Sequence, residues 1–262
     1  MDYPYGPAFA FLCLFQGLLV APAWRRPWRA GTSRLVGIAL PIVVFLIGLA
    51  ATRGTDWSVE AVSHLATFGT PVAAAAVGYV WGWRMPLLPV VAAPALWILA
   101  WRADGLTADV ADLALIGAAC LTLAAVIAAF TPPWALAAGL VVLAIVDSVL
   151  VFTDQVRPGS QALHAVVPPS AGGAPLPALQ DATLDRALFG WLDILAAALC
   201  ATLLAGAGAR RIAAAVLVAA AALALGLLLA VADQVPGTIP PLVAVGVWLA
   251  AGAWSHRPLP NP

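Results

Sequence analysis

Long apolar runs, separated by short polar or charged connections, occupy most of the chain. In hydrocarbon a backbone must satisfy its own hydrogen bonds, so each such run predicts a helix of roughly 17–25 residues. Nine are predicted: Pro7–Ala23, Arg34–Thr52, Phe68–Trp83, Pro86–Trp101, Val110–Phe130, Pro133–Thr153, Ala187–Ala207, Arg211–Val231 and Gly237–Trp254. No solenoid-type repeat interrupts the pattern, and its many Ala and Gly residues suit helices that pack through small side chains. Residues 1–262 therefore read as a single all-α polytopic membrane domain. The one long connection, residues 154–186, is rich in Pro, Gly and Ser. It is too long for a passive antiparallel turn and too proline-rich for a helix, so it reads as a disordered loop or a functional lid.

Composition agrees with lipid as the solvent: 63% of residues are hydrophobic, 9% are charged, and mean hydropathy is +1.00. Twelve basic residues, all arginine, balance twelve acidic ones, which removes any electrostatic case for nucleic-acid binding. Their distribution sets the orientation. Arg25, Arg26, Arg29 and Arg34 lie between the first two runs, a connection that the positive-inside rule assigns to the cytoplasm. Alternation then brings Arg84, Arg210, Arg211 and Arg257 to the same side, with the N-terminus outside and the C-terminus inside. The first run lacks a basic leader and precedes the arginine cluster, so it reads as a retained helix. High Ala, Gly, Pro and Arg without Lys suits a prokaryotic plasma membrane.

Trp24, Trp28, Trp57, Trp83, Trp101, Trp134 and Trp254 fall at or near predicted helix ends, the pattern of an interfacial belt. Cys13, Cys120 and Cys200 lie inside apolar runs, and His64, His164 and His256 lie in separate connections. Neither set has the spacing of a metal or haem site, so no cofactor and no metal are expected.

Two carboxylates break the apolar pattern. Asp147 lies in LVVLAIVDSVLVFTD and Asp193 in LFGWLDILAAALCATLLAG. An ionised carboxylate at such depth costs on the order of 2.5–3.5 kcal/mol or more, which makes each a candidate functional group by default. Asp147 precedes Asp154 by seven residues, and Asp193 follows Arg186 by seven. At about 1.5 Å per residue both lie roughly 10 Å below the same face, on helices adjacent in sequence. Two carboxyls sharing a site hold one proton between them, the electronic requirement of an aspartic protease. The ionised member takes a proton from water while the protonated member donates to the carbonyl oxygen. Alternatively, each Asp ties its helix to a neighbour by hydrogen bonds. A third feature is the Pro240–Pro241 pair, about seven residues beyond Asp233, where missing N–H groups break a helix start at a similar depth.

This order of motifs resembles the GxGD intramembrane aspartyl proteases, the presenilin and signal peptide peptidase family. That family carries a YD in its sixth helix, a GxGD in its seventh and a PAL motif opening its ninth. The matching positions here are Val146-Asp147, Gly190-Trp191-Leu192-Asp193 and Pro240-Pro241-Leu242. Val146 replaces the tyrosine, Leu192 the glycine beside the catalytic Asp, and Pro241 the alanine. The leucine implies a narrower cleft than glycine would leave.

The resemblance implies a presenilin-like bundle with Asp147 and Asp193 catalytic and Gly190, Leu192, Pro240, Pro241 and Leu242 along the substrate. The orientation is similar to that of signal peptide peptidase and implies transmembrane-helix substrates of type II. It further implies that the loop between the aspartates pairs with an unwound substrate segment as an added strand. Two other functions fit the carboxylates: a proton-coupled transporter, for which the sequence shows no inverted repeat, and a non-catalytic membrane scaffold that binds helices.

Overall fold

The computed structural model describes residues 7–22, 56–153, 166, 176–179, 181–184, 187–205, 210–227 and 235–250. Its helices are α1 (Pro7–Val20), α2 (Asp56–His64), α3 (Thr70–Val80), α4 (Leu88–Arg102), α5 (Leu106–Phe130), α6 (Pro133–Phe152), α7 (Trp191–Leu203), α8 (Arg210–Gly226) and α9 (Ile239–Ala250). A π-helical turn, Leu65–Gly69, joins α2 and α3 into one continuous rod. The described residues thus hold eight helical rods and one antiparallel hairpin, β1 (Asp181–Leu184) and β2 (Ala187–Gly190).

The expectation of nine membrane-crossing helices is corrected. Among the described residues three helices are long and apolar enough to cross a membrane: Val59–Val80, Leu106–Phe130 and Pro133–Phe152. The predicted helix Arg34–Thr52 lies outside the described residues. The third prediction began too late, because the polar residues from Asp56 to His64 continue the helix instead of ending it. The seventh began too early, because residues 187–190 pair with 181–184 as strand, which leaves α7 only 13 residues. The same pairing gives a regular strand, 181–184, to the end of the connection expected to be a disordered loop or a lid. α4 keeps 15 residues and α1 14.

Local chemistry accounts for several of these boundaries. Pro71 has no N–H to give the carbonyl of Thr67 across the π turn, and the Trp97 indole donates to that carbonyl instead, at 3.1 Å. α1 stops before Pro22, and Arg211 Nε donates to the freed carbonyl of Ala21 at 3.0 Å. β1 and β2 pair from Leu184 with Ala187 to Asp181 with Gly190.

α5 is the axis of the core. It packs against α3 and α4 on one side and against α7 and β1 on the other. Leu113, Leu115, Ile116, Cys120, Ala124 and Ala125 along it are buried. Two side-chain bonds fix its height: the Trp81 indole donates to the Leu121 carbonyl at 3.0 Å, and Thr122 Oγ1 donates to the Ala73 carbonyl at 2.8 Å. α1 lies on α7 and α8. Its approach to α8 requires Gly17, where a β-carbon would stand 2.7 Å from the Ala215 carbonyl oxygen. α9 closes the arrangement by packing on α8, α7 and α6.

Candidate active site

α7 starts at Trp191 because the chain leaves β2 at Gly190 in an extended conformation (φ −63°, ψ 152°) and turns directly into helix. Asp193 is then the third helical residue, and its carboxylate folds back on the start of its own helix. Gly190 N–H donates to Asp193 Oδ2 at 2.9 Å, which satisfies one of the donors a helix start leaves open. Asp193 is partly buried, while every residue from Ile194 to Thr202 behind it is buried.

Asp147 comes from the C-terminal half of α6 and is also partly buried. Thr238, fully buried just before α9, donates its hydroxyl to Asp147 Oδ2 at 2.7 Å. Gly237, the preceding residue, lies against the other carboxylate. A β-carbon there would stand 2.5 Å from Asp193 Cγ and 2.7 and 2.8 Å from its two oxygens. The two-residue link Gly237–Thr238 therefore touches both aspartates, one residue to each. The carboxyl groups are near enough to repel one another when both are charged.

The link is held from two directions. Pro240 and Pro241, both buried, begin α9, where absent N–H groups cost nothing. From α1, the fully buried Gln16 donates through Nε2 to the Gly237 carbonyl at 3.1 Å and to the Asp193 carbonyl at 3.2 Å.

Of the residues singled out in the sequence, Asp147, Asp193 and Gly190 come together here, and Pro240 and Pro241 anchor the segment between the carboxylates. Leu192 is 38% exposed and Leu242 partly buried, without a polar role at the pair. Gln16, Gly237 and Thr238 were missed. Gln16 had a signal, as the one polar side chain in the run PAFAFLCLFQGLLV. Gly237 and Thr238 had only their nearness to the proline pair.

Such a pair can share a proton, accept one from water and return one to a carbonyl oxygen. Among the described residues no group of three His, Cys, Asp or Glu side chains is placed to hold a metal ion. Cys13, Cys120 and Cys200 are free thiols buried in the core. Compared with family models, curated proteins and solved structures, the chain matches none.

Proposed function

We propose that the chain is an intramembrane aspartyl protease resembling the presenilin and signal peptide peptidase family, with Asp147 and Asp193 as its acid and base. One observation supports this above the others: carboxylates 46 residues apart in sequence meet across the Gly237–Thr238 link that opens α9. Three membrane-length apolar helices and outward-facing Val142, Ile145, Val149 and Phe152 on α6 support a bilayer setting. In this reading the bundle sits in a prokaryotic plasma membrane, N-terminus outside. Its substrates are type II transmembrane helices.

The chemistry follows from the shared proton. The carboxylate of the pair removes a proton from water as the water oxygen bonds to the scissile carbonyl carbon. The carboxylic acid protonates the carbonyl oxygen, giving a neutral tetrahedral diol. Breakage of the C–N bond then takes a proton from the pair onto the leaving nitrogen and returns the diol proton, so the pair ends as it began. A helical peptide bond resists this attack until its segment unwinds. Gly190 and Leu192 lie just before Asp193, Pro240, Pro241 and Leu242 lie just after the Gly237–Thr238 link, and these five are assigned to bind that unwound segment.

The bonds from Gly190 to Asp193 and from Thr238 to Asp147 also favour a second reading, in which both aspartates are structural ties in a non-catalytic scaffold. One experiment separates the two. Wild type, Asp147→Asn and Asp193→Asn are purified and given a type II transmembrane peptide in bilayers, with products read by mass spectrometry across about pH 4 to 8. An asparagine keeps a carbonyl oxygen for the same donors but cannot exchange the proton. The protease reading expects cleavage within the apolar stretch, a bell-shaped pH profile, and its loss in both variants. A folded wild type that cuts none of a varied peptide panel supports the scaffold instead.

A further inference from the structure

Gln16 sits where no mechanism of two carboxylates requires a residue, on a helix that contributes no acid. Its side chain is wholly buried, and its amide nitrogen reaches two backbone carbonyls 44 residues apart, those of Asp193 and Gly237. Both partners only accept, so the amide orientation is dictated: the nitrogen faces them. Its oxygen, Oε1, is buried, and no described residue donates to it. A leucine or methionine would fill this position without burying an unsatisfied acceptor, so packing alone does not explain an amide here. What the amide supplies is a pair of donors.

Those donors complete a circuit around the site. From the backbone of Asp193 the bonds run through Gln16 to the carbonyl of Gly237, along one peptide to Thr238, and from the Thr238 hydroxyl to the carboxylate of Asp147. Gly237 is pressed against the Asp193 carboxylate so closely that no β-carbon fits. Without a hold on its carbonyl, the link could relieve that contact by moving away from α7, and Thr238 would move with it.

We propose that Gln16 is a positioning residue for the carboxyl pair, setting the separation of Asp147 and Asp193 by clamping the Gly237–Thr238 link to the first turn of α7. This makes α1 part of the site. Its consequence for turnover rests on the protease reading above, but the geometry of the clamp does not.

The test uses the full-length protein in bilayers with isotope-labelled aspartates, and two variants of matched size, Gln16→Met and Gln16→Glu. The infrared carboxyl band that disappears in Asp147→Asn is assigned to Asp147, and Thr238→Val shows how it moves when its hydroxyl donor is lost. The proposal expects Gln16→Met to shift this band in the direction of Thr238→Val. It also expects kcat on the peptide to fall about tenfold to a hundredfold, with KM changed by less than about twofold. Gln16→Glu keeps one donor when protonated and none when ionised, so it should fall between Gln16→Met and wild type at low pH and move toward Gln16→Met as pH rises. Combining Gln16→Met with Thr238→Val should add little to either alone. A Gln16→Met band that coincides with wild type overturns the proposal, whatever happens to the melting temperature, and so does an unchanged kcat in a wild type that cleaves. If Gln16→Met does not fold, the Gln16→Glu band decides in the same way. A wild type with no cleavage defeats the protease reading alone, and the band shift still decides on Gln16.

Discussion

Asp147 and Asp193 stand on helices of opposite character. Behind Asp193, α7 runs through the core with no residue between Ile194 and Thr202 left exposed. In α6 only Leu136, Ala137, Leu140 and Ala144 are buried, all of them before Asp147. After Ala144 the side chains of Ile145, Val149 and Phe152 face outward, and Ser148 turns its hydroxyl back onto the Ala144 carbonyl at 2.7 Å, a bond that loosens and often bends helices. One carboxylate is therefore fixed by its helix and by Gly190. The other has a loosely packed helix and the hydroxyl and backbone of one residue, Thr238. The alignment of the pair is decided on the α6 side, and the link before α9 is what transmits it.

Replacing either carboxyl tests what the two share. On the protease reading, Asp147→Asn and Asp193→Asn should each reduce product formation by about a thousandfold or more, measured by mass spectrometry, with melting temperatures near wild type because both donors keep an acceptor. Gly237→Ala attacks the fixed side. Its β-carbon must displace the Asp193 carboxylate or the link, so turnover should fall about a hundredfold and stability by roughly 1–3 kcal/mol in denaturant unfolding. Thr238→Val attacks the adjustable side and should cost about 1 kcal/mol and roughly tenfold in kcat, with Thr238→Ser restoring most of both. The smallest effect belongs to Leu192→Gly, at an exposed position in the first turn of α7. It should cost about 1 kcal/mol of stability by helix propensity and widen the range of peptides cut in a competition panel.

The same contrast governs what could be read in the sequence. Asp147 and Asp193 were legible because a charge among apolar residues is conspicuous at any depth, and Pro240–Pro241 because missing N–H groups announce a helix start. α5 and α6 were placed within a few residues because their apolar runs are long and end at Gly105, Pro132 and Thr153. The hairpin was not legible. Ala187, Leu188 and Phe189 are as apolar as the helix that follows, and a run of that kind has no period of its own until a partner strand is found. Nor was the clamp: a glutamine that donates to two carbonyls, a glycine chosen for the β-carbon it lacks, and a threonine two residues before a proline depend on distant backbone that only folding brings near. Long-range backbone partners carry no local signature.

Gly190 belongs to two structures at once, as the last residue of β2 opposite Asp181 and as the cap of α7. Its single amide proton is committed to Asp193 Oδ2. A charged carboxylate holds such a proton tightly, and a neutral one holds it less well. The exchange of this one proton with heavy water therefore reports the charge on Asp193, slow when the group is ionised and faster when it is protonated. The fold carries its own isotope-sensitive indicator, readable with no substrate present.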